Sequence, residues 1–228
     1  MVFALSQEEA KKRKHFIASD GLSQKLTHST VSKAQDSKLN YFLFTENEQE
    51  GATFGERFTN AVTKVFNSGY DSVITIGNDS PQLNTKHILE AHDRLQKGQS
   101  TIGPSFDGGF YLLAISKEQF CVSTFKSFSW QTNTVFGEVY THIKSTKTAT
   151  ESIHLLPVFY DLDTVSQVKK ILAQLGTSQR NLVAWLQKLV SEANHLLTKE
   201  KDFYSLHFWE QFYNKGSPTL LISRMPLI

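Results

Sequence analysis

The stretch Asp71-Ser72-Val73-Ile74-Thr75-Ile76-Gly77-Asn78-Asp79-Ser80-Pro81 passes from a β-branched run directly into a turn. Val, Ile and Thr suit a pleated, half-buried surface, and the turn signal behind them ends the run, so residues 71–77 read as a strand. Asp79 then stands just past the carboxyl end of that strand, the edge at which open α/β sheets bind ligands. Pro81 disfavours helix at Ser80, which keeps the carboxylate on an extended turn where it can ligate a hard divalent cation. A structural reading competes with this one: Asp79 caps the helix that begins near Asn84 or stabilises the turn.

The flanking segments alternate between two periodicities. Residues 2–5 form a short apolar run, and Ser6-Gln7-Glu8-Glu9 behind it supplies an N-cap and acidic first-turn residues for a helix. A polar region to Ser37 follows, then a second strand over 39–44. Phe58, Ala61, Val62, Val65 and Phe66 recur at helical spacing, which predicts a helix over 56–67 that ends at Gly69. Downstream, Ile88, Leu89, Ala91 and Leu95 mark another helix, residues 100–102 and 110–115 two strands, 133–143 a helix, 155–160 a strand and 165–175 a helix. This alternation predicts an α/β domain over residues 1–177: a predominantly parallel sheet with helices on both faces and strands 2–5, 39–44 and 73–76 as neighbours. Residues 178–228, with a helix near 180–197 and the aromatics Phe203, Tyr204, Phe208, Trp209, Phe212 and Tyr213, read as an extension packed on the domain or on a partner.

Composition narrows the function classes. The chain has 228 residues, of which 39% are hydrophobic and 20% charged, enough to bury a core; its 17 Phe make that core aromatic-rich. The single cysteine, Cys121, cannot form an internal disulfide, there is no signal-peptide core, and no apolar stretch approaches membrane-spanning length. Cytoplasmic placement is the expectation. A formal charge of +2 without a basic stripe argues against nucleic acid, and eight scattered histidines without i, i+4 pairing argue against a zinc helix.

A second acidic cluster, Tyr160-Asp161-Leu162-Asp163-Thr164, also stands between a strand and a helix. Its competing reading is again capping. Magnesium takes one or two protein carboxylates and fills its other positions with water and phosphate oxygens, so two strand-end acids far apart in sequence suit a metal-nucleotide complex. Between them lies Gly103-Pro104-Ser105-Phe106-Asp107-Gly108-Gly109, whose paired glycines allow close backbone approach or simply a hairpin turn.

The ordered set Phe54-Gly55-Glu56-Arg57, Ile76-Gly77-Asn78-Asp79-Ser80-Pro81, Gly103-Pro104 with Asp107-Gly108-Gly109-Phe110-Tyr111-Leu112, Trp130-Gln131-Thr132, and Asp161-Leu162-Asp163-Thr164 resembles the bacterial family called glycosyltransferase A-like or selenium-domain-associated transferase. The resemblance covers about residues 1–175. That family is similar to the molybdenum-cofactor and phospholactate guanylyltransferases and to sugar-nucleotide transferases. The resemblance implies a GT-A fold, the three-layer sandwich of nucleotide-diphospho-sugar transferases, and transfer at phosphorus or at an anomeric carbon. It further implies Mg²⁺ or Mn²⁺ on Asp79 and Asp163, with Asp161 as the alternative second acid. Gly55, Glu56 and Arg57 are then expected near a nucleotide or nucleotide sugar, and Asp107, Gly108 and Gly109 face the acceptor or the leaving group, with Asp79 and Asp107 as the catalytic pair. The acceptor and any homo-oligomer stay open.

One departure from the family bears on activity. Relatives carry a loop after the first strand of the sense Pro-x-x-Gly-x-x-Lys-Thr-Arg, which holds phosphates. Here the stretch is Ser6-Gln7-Glu8-Glu9-Ala10-Lys11-Lys12-Arg13-Lys14, without that glycine and proline. Lys12, Arg13 and Lys14 can still meet phosphate charge, or they form a solvated helix face. Two functions follow as expectations: a metal-dependent nucleotidyl- or glycosyltransferase, or a degenerate GT-A module that binds or assembles without catalysis.

Overall fold

The computed structural model describes residues 1–4, 22–146, 153–162, 164–175, 183–188 and 190–191. In chain order the elements are β1 (Val2–Phe3), α1 (Leu22–Asp36), β2 (Leu43–Phe44), α2 (Phe54–Asn67), β3 (Ser72–Ile76), α3 (Thr85–Gln96), β4 (Thr101–Pro104), β5 (Phe110–Ser116), α4 (Val122–Ser127), α5 (Val135–Ser145), β6 (His154–Leu155) and α6 (Val165–Gln174). Six strands form one sheet in the order β2-β1-β3-β5-β4-β6. β1 pairs in parallel with both β2 and β3, so the three strands expected as neighbours are neighbours. β4 and β6 are also parallel, while β5 runs antiparallel to both β3 and β4. Five strands therefore share one direction, and the expected parallel sheet is interrupted by the reversed β5.

The reversal comes from the turn at Gly108-Gly109, which folds β5 back on β4 and lets it insert beside β3. Their register, Ser72↔Ser116 through Ile76↔Leu112, makes β3·β5 the longest pairing in the sheet. Strand alternation then sends neighbouring side chains to opposite faces. Phe3, Val73, Leu113 and Ile115 meet Phe58, Val62, Val65 and Phe66 of α2, Phe125 of α4 and Val139 and Ile143 of α5. Val2, Ile76, Leu112 and Ala114 meet Ala34 of α1 and Ile88 and Ala91 of α3 on the other face. Helices thus cover both faces, giving a three-layer α/β sandwich. A third cluster joins Leu26 of α1 to Leu162, to Val168 and Ile171 of α6, and to Leu186. Each such fully buried aliphatic side chain contributes about 1.5–3 kcal/mol.

Local sequence explains where the helices start. Thr53 caps α2 by accepting from Glu56 N–H at 3.1 Å while the Glu56 carboxylate accepts from Thr53 N–H at 3.1 Å, a reciprocal capping box. Asn84 and His87 do the same for α3.

Two expectations are corrected. The polar region before Ser37 contains α1, a 15-residue helix, and the short helix α4 lies between β5 and α5, where the sequence pattern predicts no element. The α1 face toward the protein reads Leu26, Thr30, Ala34, with Ser37 just beyond; two of these four buried residues are polar, which dilutes the apolar stripe. The strands expected over 39–44 and 155–160 are only two residues long, and the second is extended only by an isolated bridge from Phe159 to Ser105. The helix expected to start at Ser6 lies outside the described residues. Among the described residues no helix is long and apolar enough to cross a membrane.

Candidate functional site at the carboxyl edge of the sheet

Past Ile76 the chain leaves β3 through Gly77, whose N–H still bonds Tyr111 O at 3.0 Å. The turn that follows is braced from α1: Asn78 Nδ2 donates to Thr27 Oγ1 at 2.8 Å and Lys33 Nζ donates to Pro81 O at 3.1 Å. Burial of Lys33 costs its ammonium hydration and lowers its pKa from 10.5 to about 8. Asn78, Ser80 and Pro81 are buried, whereas Asp79 is half-buried and reaches a cleft.

The second acidic segment closes on this turn. Leu162 N–H donates to Asp79 O at 3.0 Å, and Ser80 Oγ donates to Asp161 Oδ1 at 2.6 Å. Asp79 and Asp161, 82 positions apart in number, therefore line one cleft. Asp163, the expected second metal ligand, lies outside the described residues, as do Lys12, Arg13 and Lys14.

Asp107 comes to the same cleft from the β4–β5 turn. Its Oδ1 accepts from Gly109 N–H at 2.9 Å and from Ser105 Oγ, which locks the turn. Gly108 adopts φ +88°, and a Cβ there would lie 2.1 Å from Asn133 O, so only glycine lets the backbone pass. Gly109 lines the cleft with Asp107; Gly108 sits behind, accepting from Phe136 N–H at 3.0 Å.

The facing wall is aromatic. Phe54 and Phe58 from α2, Phe110 from β5 and Trp130 line a cavity of about 160 Å³, with Trp130 centred 4.7 Å from Phe58 and 5.3 Å from Phe54. Trp130 Nε1 donates to Phe125 O at 2.6 Å, which fixes the indole. Gln131 and Thr132 complete this side, and Gln131 holds φ +63°, a left-handed conformation uncommon for a side chain of its size. The surrounding loop imposes it: Thr132 Oγ1 donates to Ser129 O at 2.6 Å, and Glu138 accepts from Ser129 N–H at 2.7 Å.

This placement redistributes the roles expected for Gly55-Glu56-Arg57, none of which lines the cleft. Gly55 makes room for the indole, since a Cβ would lie 2.5 Å from Trp130 Cδ1. Glu56 is spent on the capping box, and the N–H groups of Thr53 and Ala52 hold its carboxyl below the usual range. Arg57 lies over the Phe54 ring at 6.0 Å. The segment shapes the wall, and its aromatic flanks, Phe54 and Phe58, make the contact surface. Sequence periodicity had marked Phe58 as core, and nothing in the sequence announced the strained Gln131.

Asp79, Asp107 and Asp161 supply oxygen donors only, and the lining includes no Lys, Arg, His or Cys among the described residues. Nor do those residues hold any group of three or more His, Cys, Asp or Glu close enough to bind a metal by themselves. Such a donor set fits a hard cation that takes one or two carboxylates and completes its shell with water and ligand phosphates, and it does not fit zinc.

The family model described as "Uncharacterized protein conserved in bacteria (DUF2064)" matches residues 15–132, more than half of the chain. The chain belongs to the DUF2064 family. The matched part of this DUF2064 chain holds the Asp79 turn, the Asp107 turn and Trp130. Its fold is similar to the crystal structure of a candidate nucleotide-diphospho-sugar transferase from Desulfovibrio desulfuricans G20, at TM-score 0.66 and 24% identity over 87% of this chain and 96% of that one. An rv0371c homolog from Mycobacterium sp. strain JC1 overlaps at TM-score 0.45 and 11% identity, over 82% and 97% of the two chains, too distant to carry an argument. No curated protein matches.

Proposed function

We propose that this protein is a metal-dependent transferase that binds a nucleotide or nucleotide sugar in the cleft. The observation that carries the reading is the joining of two strand-end loops at the carboxyl edge of the sheet, which puts Asp79 and Asp161 on one cleft that Asp107 also lines. Asp79 and Asp161, with Asp163 beyond them in sequence, would hold Mg²⁺ or Mn²⁺. When bound, the ion supplies positive charge for the phosphates of the ligand and its leaving group.

The remaining roles belong to side chains of this chain. Phe54, Phe58, Phe110 and Trp130 offer an apolar wall on which a base or sugar ring can lie and which keeps water from that side. Asp107, held in one orientation by Gly109 N–H and Ser105 Oγ, would accept a proton from an acceptor hydroxyl. Lys12, Arg13 and Lys14 would add phosphate contacts.

Thermal unfolding in the presence of nucleoside diphosphates and their sugars tests the reading. A ligand at about 100 times its Kd raises stability by about 2.7 kcal/mol, and the increase should require Mg²⁺ or Mn²⁺. No increase with any nucleotide favours the second reading, a non-catalytic module, which the altered stretch from Ser6 to Lys14 motivates.

A further inference from the structure

Gln131 lines the cleft and holds φ +63°, a conformation that turns ordinarily give to glycine or asparagine. Among the described residues the other non-glycine residue of positive φ is Lys38, two positions past the end of α1, where a left-handed residue serves to end a helix. Gln131 has no such duty, because it stands between α4 and α5, four residues past Ser127 and ahead of the α5 cap at Thr134. Its surroundings hold it in place. Thr132 Oγ1 donates to Ser129 O at 2.6 Å, and Ser129 N–H and Thr134 Oγ1 donate to the Glu138 carboxylate at 2.7 and 3.0 Å. Strained residues held in this way cluster at ligand sites.

The side chain carried by that strained backbone is available to a ligand. Among the described residues the Gln131 carboxamide has no hydrogen-bond partner. The other neutral polar side chains of the cleft already donate inside the chain: Asn78 to Thr27, Ser80 to Asp161, Ser105 to Asp107, Thr132 to Ser129, and Thr75 and Tyr111 to main-chain carbonyls. The three carboxylates of the lining only accept. Gln131 follows Trp130, and both line the same cleft, so one planar group that donates and accepts adjoins the aromatic wall. This pairing suits a flat ring with a donor and an acceptor side by side on its edge. The face of such a ring lies on the wall, and its edge takes two hydrogen bonds from one carboxamide. A nucleobase has both features, whereas a pyranose is puckered and spreads its hydroxyls around the whole ring.

We propose that Gln131 selects the base of the nucleotide, its carboxamide pairing with the edge of a nucleobase laid on Phe54, Phe58, Phe110 and Trp130. This inference rests on the nucleotide reading of the cleft and names the part of the ligand that the aromatic wall takes. The test is calorimetric titration of the full chain with ADP, GDP, CDP and UDP, each with Mg²⁺ or Mn²⁺, for the wild-type sequence, Gln131→Gly and Gln131→Glu. Melting temperatures are measured alongside. The wild-type chain should prefer one base over another by at least about tenfold, the discrimination of a two-bond amide–base pair, and Gln131→Gly should narrow this to within about threefold at unchanged metal dependence. Glycine adopts the left-handed conformation without strain, so Gln131→Gly should hold Tm within about 4 °C or raise it. Gln131→Glu, of the same size but with an acceptor in place of the amide donor, should lose the preference as well. Equal affinity for all four nucleotides, or a preference that survives in either variant, overturns the inference while the nucleotide reading stands. A fall in Tm of more than about 4 °C in Gln131→Gly does the same, since it would show the side chain to be packed rather than available. No binding of any of the four with either metal overturns both.

Discussion

Ser80 is a residue whose small hydroxyl has a large consequence. Buried at 4% exposure, it donates to Asp161 Oδ1 at 2.6 Å and so ties the second acidic segment to the Asp79 turn. Hydrogen bonds to charged acceptors contribute about 1.5–3 kcal/mol, and residues that orient metal ligands are commonly worth about 10–100-fold in affinity. Ser80→Ala is therefore expected to lower stability by about 1–2 kcal/mol in urea titration and to weaken Mg²⁺-dependent nucleotide binding by at least about tenfold in calorimetry. Unchanged affinity would detach Asp161 from the site. Lys33 gives a pH signature. Its folded pKa, about 8, lies below the ordinary 10.5, so between those values the unfolded chain binds more protons and stability rises with pH. The stabilisation relative to acidic conditions is complete above 10.5 and lost as pH falls through 8. Lys33→Met should flatten that slope, as seen by subtracting the urea-unfolding profiles of the two proteins from pH 7.5 to 10.5; parallel profiles would mean that Lys33 is not desolvated at Pro81.

At the scale of elements, α2 both closes the core and builds the aromatic wall. Gly55→Ala would push a methyl into Trp130, 2.5 Å from Cδ1. The helix gains up to about 1 kcal/mol in propensity from this change, so a net loss of stability, with a shift in Trp130 fluorescence, is expected only if the indole is packed there. A stabilised variant with unchanged fluorescence would contradict the placement. Thr53→Ala should cost about 1 kcal/mol through the capping box and leave the fluorescence unaltered. The α2 periodicity was legible because Phe58, Ala61, Val62, Val65 and Phe66 form an unbroken apolar stripe, and β3 was legible because its β-branched run is bounded by turn residues. α1 was hidden because Thr30 and Ser37 occupy buried positions, with Ser37 Oγ satisfied locally by Ala34 O at 2.6 Å. The antiparallel β5 was legible only as one of two alternatives: alternating β and α segments imply a parallel sheet, and the paired glycines at Gly108-Gly109 read equally as a hairpin or as a site of close backbone approach. Asp79 and Asp161, which line the cleft, were readable as strand-end acids. The roles of Gly55 and Glu56 were not, since a glycine that admits an indole and a glutamate that caps a helix look in sequence like any other motif residues.

For the whole molecule, the sheet brings segments from residue 76 to residue 162 to one edge, and the account stands on what binds there. Asp79 is its centre: the turn is braced by α1 through Asn78 and Pro81, joined to the second acidic segment through the Asp79 carbonyl, and Asp79 lines the cleft. Because Asn keeps the shape of Asp and loses its charge, Asp79→Asn isolates the cation from the fold. The most direct measurement is isothermal titration calorimetry of the wild-type chain and Asp79→Asn with a panel of nucleoside diphosphate sugars, each with and without Mg²⁺ or Mn²⁺, after circular dichroism has verified equal folding. At least one ligand is predicted to bind the wild-type chain only with metal and to lose at least about 100-fold in affinity, about 2.7 kcal/mol, in Asp79→Asn. Binding that persists without metal and at equal strength in the variant, or no binding by any member of the panel, would contradict a metal-nucleotide site at Asp79.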